Sequence, residues 1–132
     1  MTSDDEDDPL EGLLVEKDKI NRQRLADALD GYVGIDSDSG EIIRFSDFHD
    51  LDSGRRITAI LLGQKVAEIL EIIDGQEVGL KSQEIANYVE VSESTVRHHS
   101  SDKPFIEQSR SQGGYYIPDV QLRNAINVFE PE

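Results

Sequence analysis

The sequence of 132 residues contains no cysteine and no tryptophan, and it holds one methionine and four prolines. Without cysteine, disulfides, thiolate-bound zinc and cysteine nucleophiles are excluded. No apolar run approaches the roughly 20 residues of a membrane-spanning helix, and no basic flank with an apolar core follows Met1 as in a secretory signal. We therefore expect a cytoplasmic protein with no membrane partner.

Features typical of catalytic sites are missing as well. The sequence has no glycine-rich phosphate loop, no nucleophile elbow and no paired histidines at metal-ligand spacing. His98 and His99 are adjacent, and neighbours on a helix point about 100° apart, so they are not expected to share a metal. Neither an enzyme nor a bound cofactor or metal is therefore expected.

Positive charge is scarce. The chain holds 13 lysines and arginines against 28 aspartates and glutamates, a formal net charge of -15. Residues 1–80 carry 20 acids and 8 bases, whereas residues 81–132 carry 8 acids and 5 bases. This Asp-rich, Lys-poor balance resembles proteins of salt-loving archaea, where molar salt shortens the Debye length to about 3 Å and screens self-repulsion. The alternative is an ordinary acidic protein with a solvated surface.

The chain before position 53 divides into two segments. Residues 1–15 are acidic and have little to bury, which predicts a disordered tail. Residues 16–52 are predicted to form a helix of about ten residues from Ile20, capped by Asn21 and stopped by Gly31, and then a hairpin. Such an element is too small for a core of its own, so it must pack on the rest of the chain or on a second subunit.

The predicted hairpin has a polar turn. Residues 32–35 and 42–45 are β-prone and flank the segment Asp-Ser-Asp-Ser-Gly at positions 36–40. The alternating aspartates are similar to a calcium loop, but Gly40 stands where a third ligand belongs and Glu41 where such a loop needs glycine. Turn formation is favoured over calcium binding.

A long apolar helix follows. Asp52 or Ser53 can cap it, and it is expected to run to about Ile73. Gly63 within it would allow close approach of another backbone. The apolar surplus at positions 57–73, the last helix and the N-terminal hairpin are candidate dimer surfaces.

Two short helices joined by a capped turn come next. Ser82 and Ser92 are predicted N-caps, and Val96 is predicted to point inward. Glu90 in the turn indicates closure without a left-handed residue, and His99 takes the late inner position of the second helix. The pattern resembles the helix-turn-helix family, whose apolar, small and β-branched positions are matched by Ile85, Ala86, Val89, Val91 and Val96.

The C-terminal residues extend this resemblance. Lys103 and Pro104 are predicted to end the second helix, and residues 105–110 and 115–117 to form a hairpin around positions 111–114. Pro118 closes this hairpin, and Asp119 is predicted to cap a last helix whose inner face is Leu122, Ala125, Ile126 and Phe129. Residues 53–129 thus resemble the winged helix-turn-helix superfamily, and the expected fold class is mainly α with small β-hairpins (α+β).

The resemblance implies a transcriptional regulator that binds double-stranded DNA, with helix 93–101 in the major groove and the wing 105–117 beside it. Arg97 is expected to read guanine, and a homodimer is expected because one weakly charged surface binds poorly. The alternative is a protein-interaction adaptor within a larger nucleic-acid-associated complex, with a partner bound through the N-terminal element. The expected DNA-contacting residues are Lys81, Ser92, Ser94, Thr95, Arg97, His98, Ser101, Lys103 and Arg110.

Overall fold

The structure is a computed structural model that describes Leu10 and residues 17–129. Within these residues the fold is α+β, as expected, with five α-helices and two antiparallel hairpins. The predicted tail at positions 1–15 lies outside them, apart from Leu10. The helices are α1 (Lys17–Leu29), α2 (Ser53–Ile69), α3 (Ser82–Val89), α4 (Glu93–Asp102) and α5 (Leu122–Asn127), and the strands are β1 (Val33–Ile35), β2 (Ile42–Arg44), β3 (Glu107–Ser109) and β4 (Gly114–Tyr116). Short 3₁₀ helices lie at Ser46–Asp50, Gly75–Glu77, Arg110–Gln112 and Asp119–Gln121.

The first helix is longer than the sequence pattern indicates. It spans 13 residues and begins at Lys17, so Asn21 lies inside the helix and the prediction of an N-cap there is wrong. Lysine is a good helix former and can extend a helix before its apolar face begins. The predicted stop is confirmed: Gly31 has a φ of 83°, and the Tyr32 N–H donates to the Leu29 carbonyl at 3.0 Å.

The hairpin of β1 and β2 closes through the turn that its sequence predicts. Ile35 pairs with Ile42, and the Asp36 carboxylate accepts bonds from the Ser39 N–H at 2.7 Å and from the Ser39 hydroxyl at 2.9 Å. These bonds, with a third from the Asp38 N–H, lower the pKa of Asp36. No group of three or more acidic or histidine side chains within residues 17–129 is arranged to hold a metal.

Helix α2 is the centre of the molecule. Asp52 caps it by accepting a bond from the Arg55 N–H at 2.8 Å, and residues 57–62 are fully buried. They belong to one hydrophobic core that extends from α1 to α5. The apolar residues at positions 57–62 are therefore covered by the same chain, whereas Leu70, beyond the end of the helix, is exposed. At Gly63 the nearest atoms to an added Cβ belong to the side chain of Ile42 in the hairpin, at 3.2 to 3.7 Å, so the helix and β2 approach closely here.

The end of α2 also differs from the prediction. The helix stops at Ile69 and not near Ile73, because Glu71 adopts a left-handed conformation with a φ of 60°. The N–H groups of Ile72 and Ile73 then fold back to the Ala67 carbonyl, at 2.8 and 3.3 Å. Both isoleucines pack around Gly40 of the hairpin turn, since a Cβ added there would meet their methyl groups. Ile72 and Ile73 therefore pack against the hairpin and do not form the additional helical turn that was predicted.

The C-terminal helix is anchored by a buried lysine. Lys65 is 4% exposed, and its Nζ lies 2.9 Å from Glu68 Oε1 and 2.7 Å from Asp119 Oδ1. Burial opposes the charge, but the bonds to the two carboxylates outweigh it and raise the pKa of Lys65. Asp119 makes no side-chain capping bond at Asp119–Gln121, so the prediction that it caps the last helix is wrong.

Leu122, Ala125 and Ile126 of α5 are buried as expected, and Phe129 is half-buried beyond the end of the helix. In the part of the chain that the structure describes, no helix combines the length and the apolar character needed to cross a membrane.

Candidate nucleic-acid interface

Helices α3 and α4 pack through small and β-branched residues at the positions that the sequence predicts. Ile85, Val89 and Val96 are each 0% exposed, and Ala86 is buried where the two helices meet. The later inner position of α4 was expected to be His99, but His99 is half-buried and Ser100, four residues after Val96, is buried. A helix turns 100° per residue, which puts Val96 and Ser100 on one face. This packing holds the outer face of α4 away from the core.

The turn between these helices depends on a left-handed residue. Glu90 has φ 60° and ψ 45°, and its N–H donates to the Ala86 carbonyl at 2.8 Å. The expectation of a turn without a left-handed residue is therefore wrong, because the position after the helix must turn the chain back in this way. The Glu90 carboxylate lies 3.6 Å from His49 Nδ1 of the N-terminal element.

Two arginines cap the end of α3 from outside the motif. Arg44 of β2 donates to the Tyr88 carbonyl at 2.7 Å, and Arg56 of α2 donates to the Val89 carbonyl at 3.4 Å. Arg56 also donates to the His49 carbonyl at 2.7 Å. The last carbonyls of a helix lack helical partners and carry partial negative charge, so cations stabilise them. No sequence pattern places Arg44 beside Tyr88, and these contacts were not predicted.

The start of α4 is capped as predicted. Ser92 Oγ accepts the Thr95 N–H at 3.2 Å and lies 3.1 Å from Ser94 Oγ and 2.9 Å from Thr95 Oγ1. Helix α3 starts differently, because Ser82 is its first residue and not its N-cap. The Lys81 N–H donates to Glu84 Oε1 at 2.9 Å, while the Lys81 ammonium has no lone pair with which to cap an N–H.

The outer face of α4 carries most of the predicted contacts. Ser94, Arg97, His98 and Ser101 are all exposed, and Thr95 is half-buried. Arg97 is 55% exposed in its side chain, and its Nη1 lies 3.8 Å from Glu93 Oε1 on the preceding turn. At this distance and exposure the ion pair is weak, so the guanidinium can reach an external acceptor.

The second hairpin is joined to the segment before α3 by its backbone. Leu80 and Tyr115 exchange two N–H to carbonyl bonds, at 2.9 and 2.8 Å, and the Gly79 N–H donates to the Gln112 carbonyl at 2.6 Å. A Cβ on Gly79 would lie 2.7 Å from Gly114 N, so the chains approach as closely as glycine permits. β3 is shorter than predicted, β4 has the predicted length but begins one residue earlier, and Arg110 lies in a 3₁₀ turn instead of a strand.

This junction forms an open cleft of about 560 Å³. Lys81 and Arg110, which are 29 positions apart and were both expected to flank the site, line the same cleft. The other lining residues lie within the wing predicted at 105–117, but the sequence did not indicate that they form a cleft with Lys81. They are Gln108, Ser109, Gly113 and Gly114.

Lys103 is not brought to this cleft. It is half-buried at the end of α4, and a Cβ added to Gly54 would lie 2.9 Å from its Nζ. Its ammonium therefore lies over the start of α2, in a separate cleft of about 240 Å³ with Asp52 and Arg55. Lys103 therefore lies in a different cleft from Lys81 and Arg110, with which it was expected to contact DNA.

The chain was compared with models of known protein families, with curated proteins and with solved structures. None of these comparisons finds a match. The exposed face of α4 and the hairpin cleft are therefore the features of this chain that bear on its function.

Proposed function

We propose that this protein is a winged helix-turn-helix transcriptional regulator that binds double-stranded DNA as a homodimer. The observation that carries the proposal is the disposition of α4, whose inner residue Val96 is fully buried while Arg97 and its outward neighbours are exposed. The major groove of DNA is wide enough to admit an α-helix, and a helix held in this way presents its polar side chains to the base edges. The adjacent hairpin supports the wing assignment.

The roles follow from the side chains. Arg97 can donate two parallel bonds to guanine O6 and N7, which discriminates against a wrong base by about 1–3 kcal/mol. Ser94, His98 and Ser101 are exposed beside it and can donate to phosphate oxygens. Arg110 on the hairpin can donate to phosphates of the DNA backbone.

The net charge of -15 affects how DNA affinity depends on salt. Counterion release drives most protein–DNA association and fades as salt rises. With few cations on the proposed face, hydrogen bonds and shape must supply a large part of the affinity. We expect a shallower salt dependence than a basic regulator shows.

The test is selection of bound duplexes from a random pool, followed by fluorescence anisotropy on the selected sequence. We expect Arg97→Ala to weaken binding at least about tenfold, as loss of a bidentate base contact requires, and to relax the preference at one base pair. Arg22→Ala is the matched control, because Arg22 is exposed on α1, outside the proposed DNA-contacting residues. No enrichment of any duplex, or equal binding by both variants, would refute the proposal.

The N-terminal hairpin favours a second candidate function, a protein-interaction adaptor that binds a partner protein there. Ile43 and Phe45 are 46% and 44% exposed, and Phe45 lies over Gly34 on the outer face of the hairpin. Sedimentation of the wild type and of the variant Ile43→Ser with Phe45→Ser tests whether this surface joins two copies of the chain or is left for a partner protein. A wild-type dimer that the variant abolishes supports the homodimer, whereas a monomeric wild type favours the adaptor reading.

A further inference from the structure

We propose that the cleft between α3 and the second hairpin is a phosphate-binding site in which Lys81 and Arg110 hold one phosphate group. This inference adds a ligand chemistry and a binding mode to the proposed function, but the site can exist without it. The two cations come from separate elements, the residue before α3 and the 3₁₀ turn between β3 and β4.

The charges in the cleft have no internal partner. Within residues 17–129, neither the Lys81 ammonium nor the Arg110 guanidinium makes a hydrogen bond or an ion pair. Other cations of the same chain do find partners: Arg55 lies 2.9 Å from Asp52, and Lys65 lies 2.7 Å from Asp119. The Glu84 carboxylate accepts the backbone N–H of Lys81 but forms no ion pair with its ammonium. In a chain with 28 acids and 13 bases, two cations that line one cleft and form no ion pair within the described residues mark a place where an external anion is favoured.

The backbone around the cleft is held in one arrangement. The Gly79 N–H bond to the Gln112 carbonyl, at 2.6 Å, and the paired bonds between Leu80 and Tyr115 fix Lys81 beside the turn that carries Arg110. Gly114 has a φ of 140°, and a Cβ there would overlap the Leu80 carbonyl. The backbone of the cleft therefore needs little ordering when a ligand enters, and the ordering cost is confined to the side chains.

The side chains suit phosphate in particular. A guanidinium donates two parallel bonds to phosphate oxygens, and an ammonium supplies a compact charge. Gln108 and the hydroxyl of Ser109 also line the cleft and can donate to further oxygens. The volume of about 560 Å³ exceeds that of a phosphate ion and lies within the range of small-molecule pockets. It leaves room for the group esterified to the phosphate.

Two sources can supply this chemistry, a diester of the DNA backbone and a free phosphorylated small molecule. Titration of the full-length protein with inorganic phosphate at constant ionic strength, followed by amide NMR, tests the site itself. We expect saturable shifts at Lys81, Gly113 and Gly114. The variant Lys81→Gln with Arg110→Gln should weaken this binding about tenfold, since each charge-assisted contact is lost, and Arg22→Gln, which removes a distant exposed charge, should not.

Titration with a duplex and with a nucleoside monophosphate identifies the source. Displacement of phosphate by the duplex, with duplex affinity reduced in the cleft variant, assigns the site to the DNA backbone. Saturable binding of the monophosphate without displacement by duplex assigns it to a free ligand, and this outcome can occur even if DNA binding fails. If phosphate, monophosphate and duplex all leave the cleft amides unchanged, or if the cleft variant and Arg22→Gln behave alike, the inference is overturned.

Discussion

Three aspartates of this chain have different structural roles although their side chains are identical. Asp36 closes a turn by accepting three bonds, Asp52 caps α2, and Asp119 holds the buried Lys65. The turn and the cap could be predicted because both are formed with residues two or three positions away. The pair between Lys65 and Asp119 joins residues 54 positions apart, and no local pattern indicates it.

The turn of the first hairpin should make stability depend on acid. Because accepted hydrogen bonds lower the pKa of Asp36 below its ordinary value of 3.8, its ionised form stabilises the fold above that pH. This contribution is lost as pH falls through the lower native pKa. We expect the free energy of unfolding of Asp36→Asn, measured in urea, to fall less between neutral and strongly acidic pH than that of the wild type. Asp38→Asn is the control, since the Asp38 carboxylate has no partner among residues 17–129, and an equal change in both variants would contradict the prediction.

Gly114 is the residue where close backbone approach is most demanding. We expect Gly114→Ala to destabilise the protein by about 3 kcal/mol or more, because a Cβ would overlap the Leu80 carbonyl at an unfavourable φ. Gly31→Ala is the matched control: its φ is 83°, but nothing lies within 4 Å of an added Cβ. It should cost only about 1 kcal/mol of conformational strain. Urea unfolding measures both, and equal losses would show that the contact with Leu80 is unimportant.

At the scale of elements, some features of the α3–α4 unit could be predicted from capping and helical periodicity, and others could not. The Ser92 cap and the inward Val96 were predicted because capping and helical periodicity are local. The left-handed conformation of Glu90 was not predicted, since glutamate is uncommon in that conformation. The carbonyls at the end of α3 accept bonds from Arg44 and Arg56, contacts that hold the adjoining turn in place.

A substitution at the turn tests this strain. We expect Glu90→Gly to be more stable than Glu90→Ala by about 1 kcal/mol, because alanine retains the cost of the left-handed conformation and glycine does not. Both variants lose the contact with His49 equally, so their difference isolates the backbone. Chemical denaturation at one pH provides the comparison. Equal stabilities would mean that the turn leaves the left-handed region when the side chain is shortened.

At the scale of the whole molecule, one core joins the N-terminal element to the remaining helices. Leu25 and Leu29 of α1, Ile42 of β2 and Ile126 of α5 are all buried in it. The hairpin covers part of α2 within the same chain, yet some apolar surfaces of the described residues stay exposed. They include the outer face of the hairpin and a small apolar groove of about 190 Å³ between α1 and the end of α2.

The net charge of -15 should make the fold respond to salt. Self-repulsion destabilises a compact acidic protein, and molar salt shortens the Debye length to about 3 Å. We expect the melting temperature to rise by several degrees between low salt and molar KCl, as circular dichroism would show. In the variant Asp47→Lys with Asp50→Lys, which changes two exposed acids, the rise should be smaller. A melting temperature that is independent of KCl would exclude self-repulsion as a significant cost.

The amino-acid sequence by itself determined the order of the elements, the polar turn at Asp36, the cap at Ser92 and the exposed position of Arg97. Each of these depends on residues within about one helical turn or one hairpin, where spacing and side-chain chemistry decide the outcome. Only the tertiary structure decided where α2 ends, that its apolar surface is covered, and that Lys81 and Arg110 share a cleft. Those features arise when segments far apart in the chain bury apolar surface and pair backbone groups together, and such contacts leave no periodic mark in the sequence.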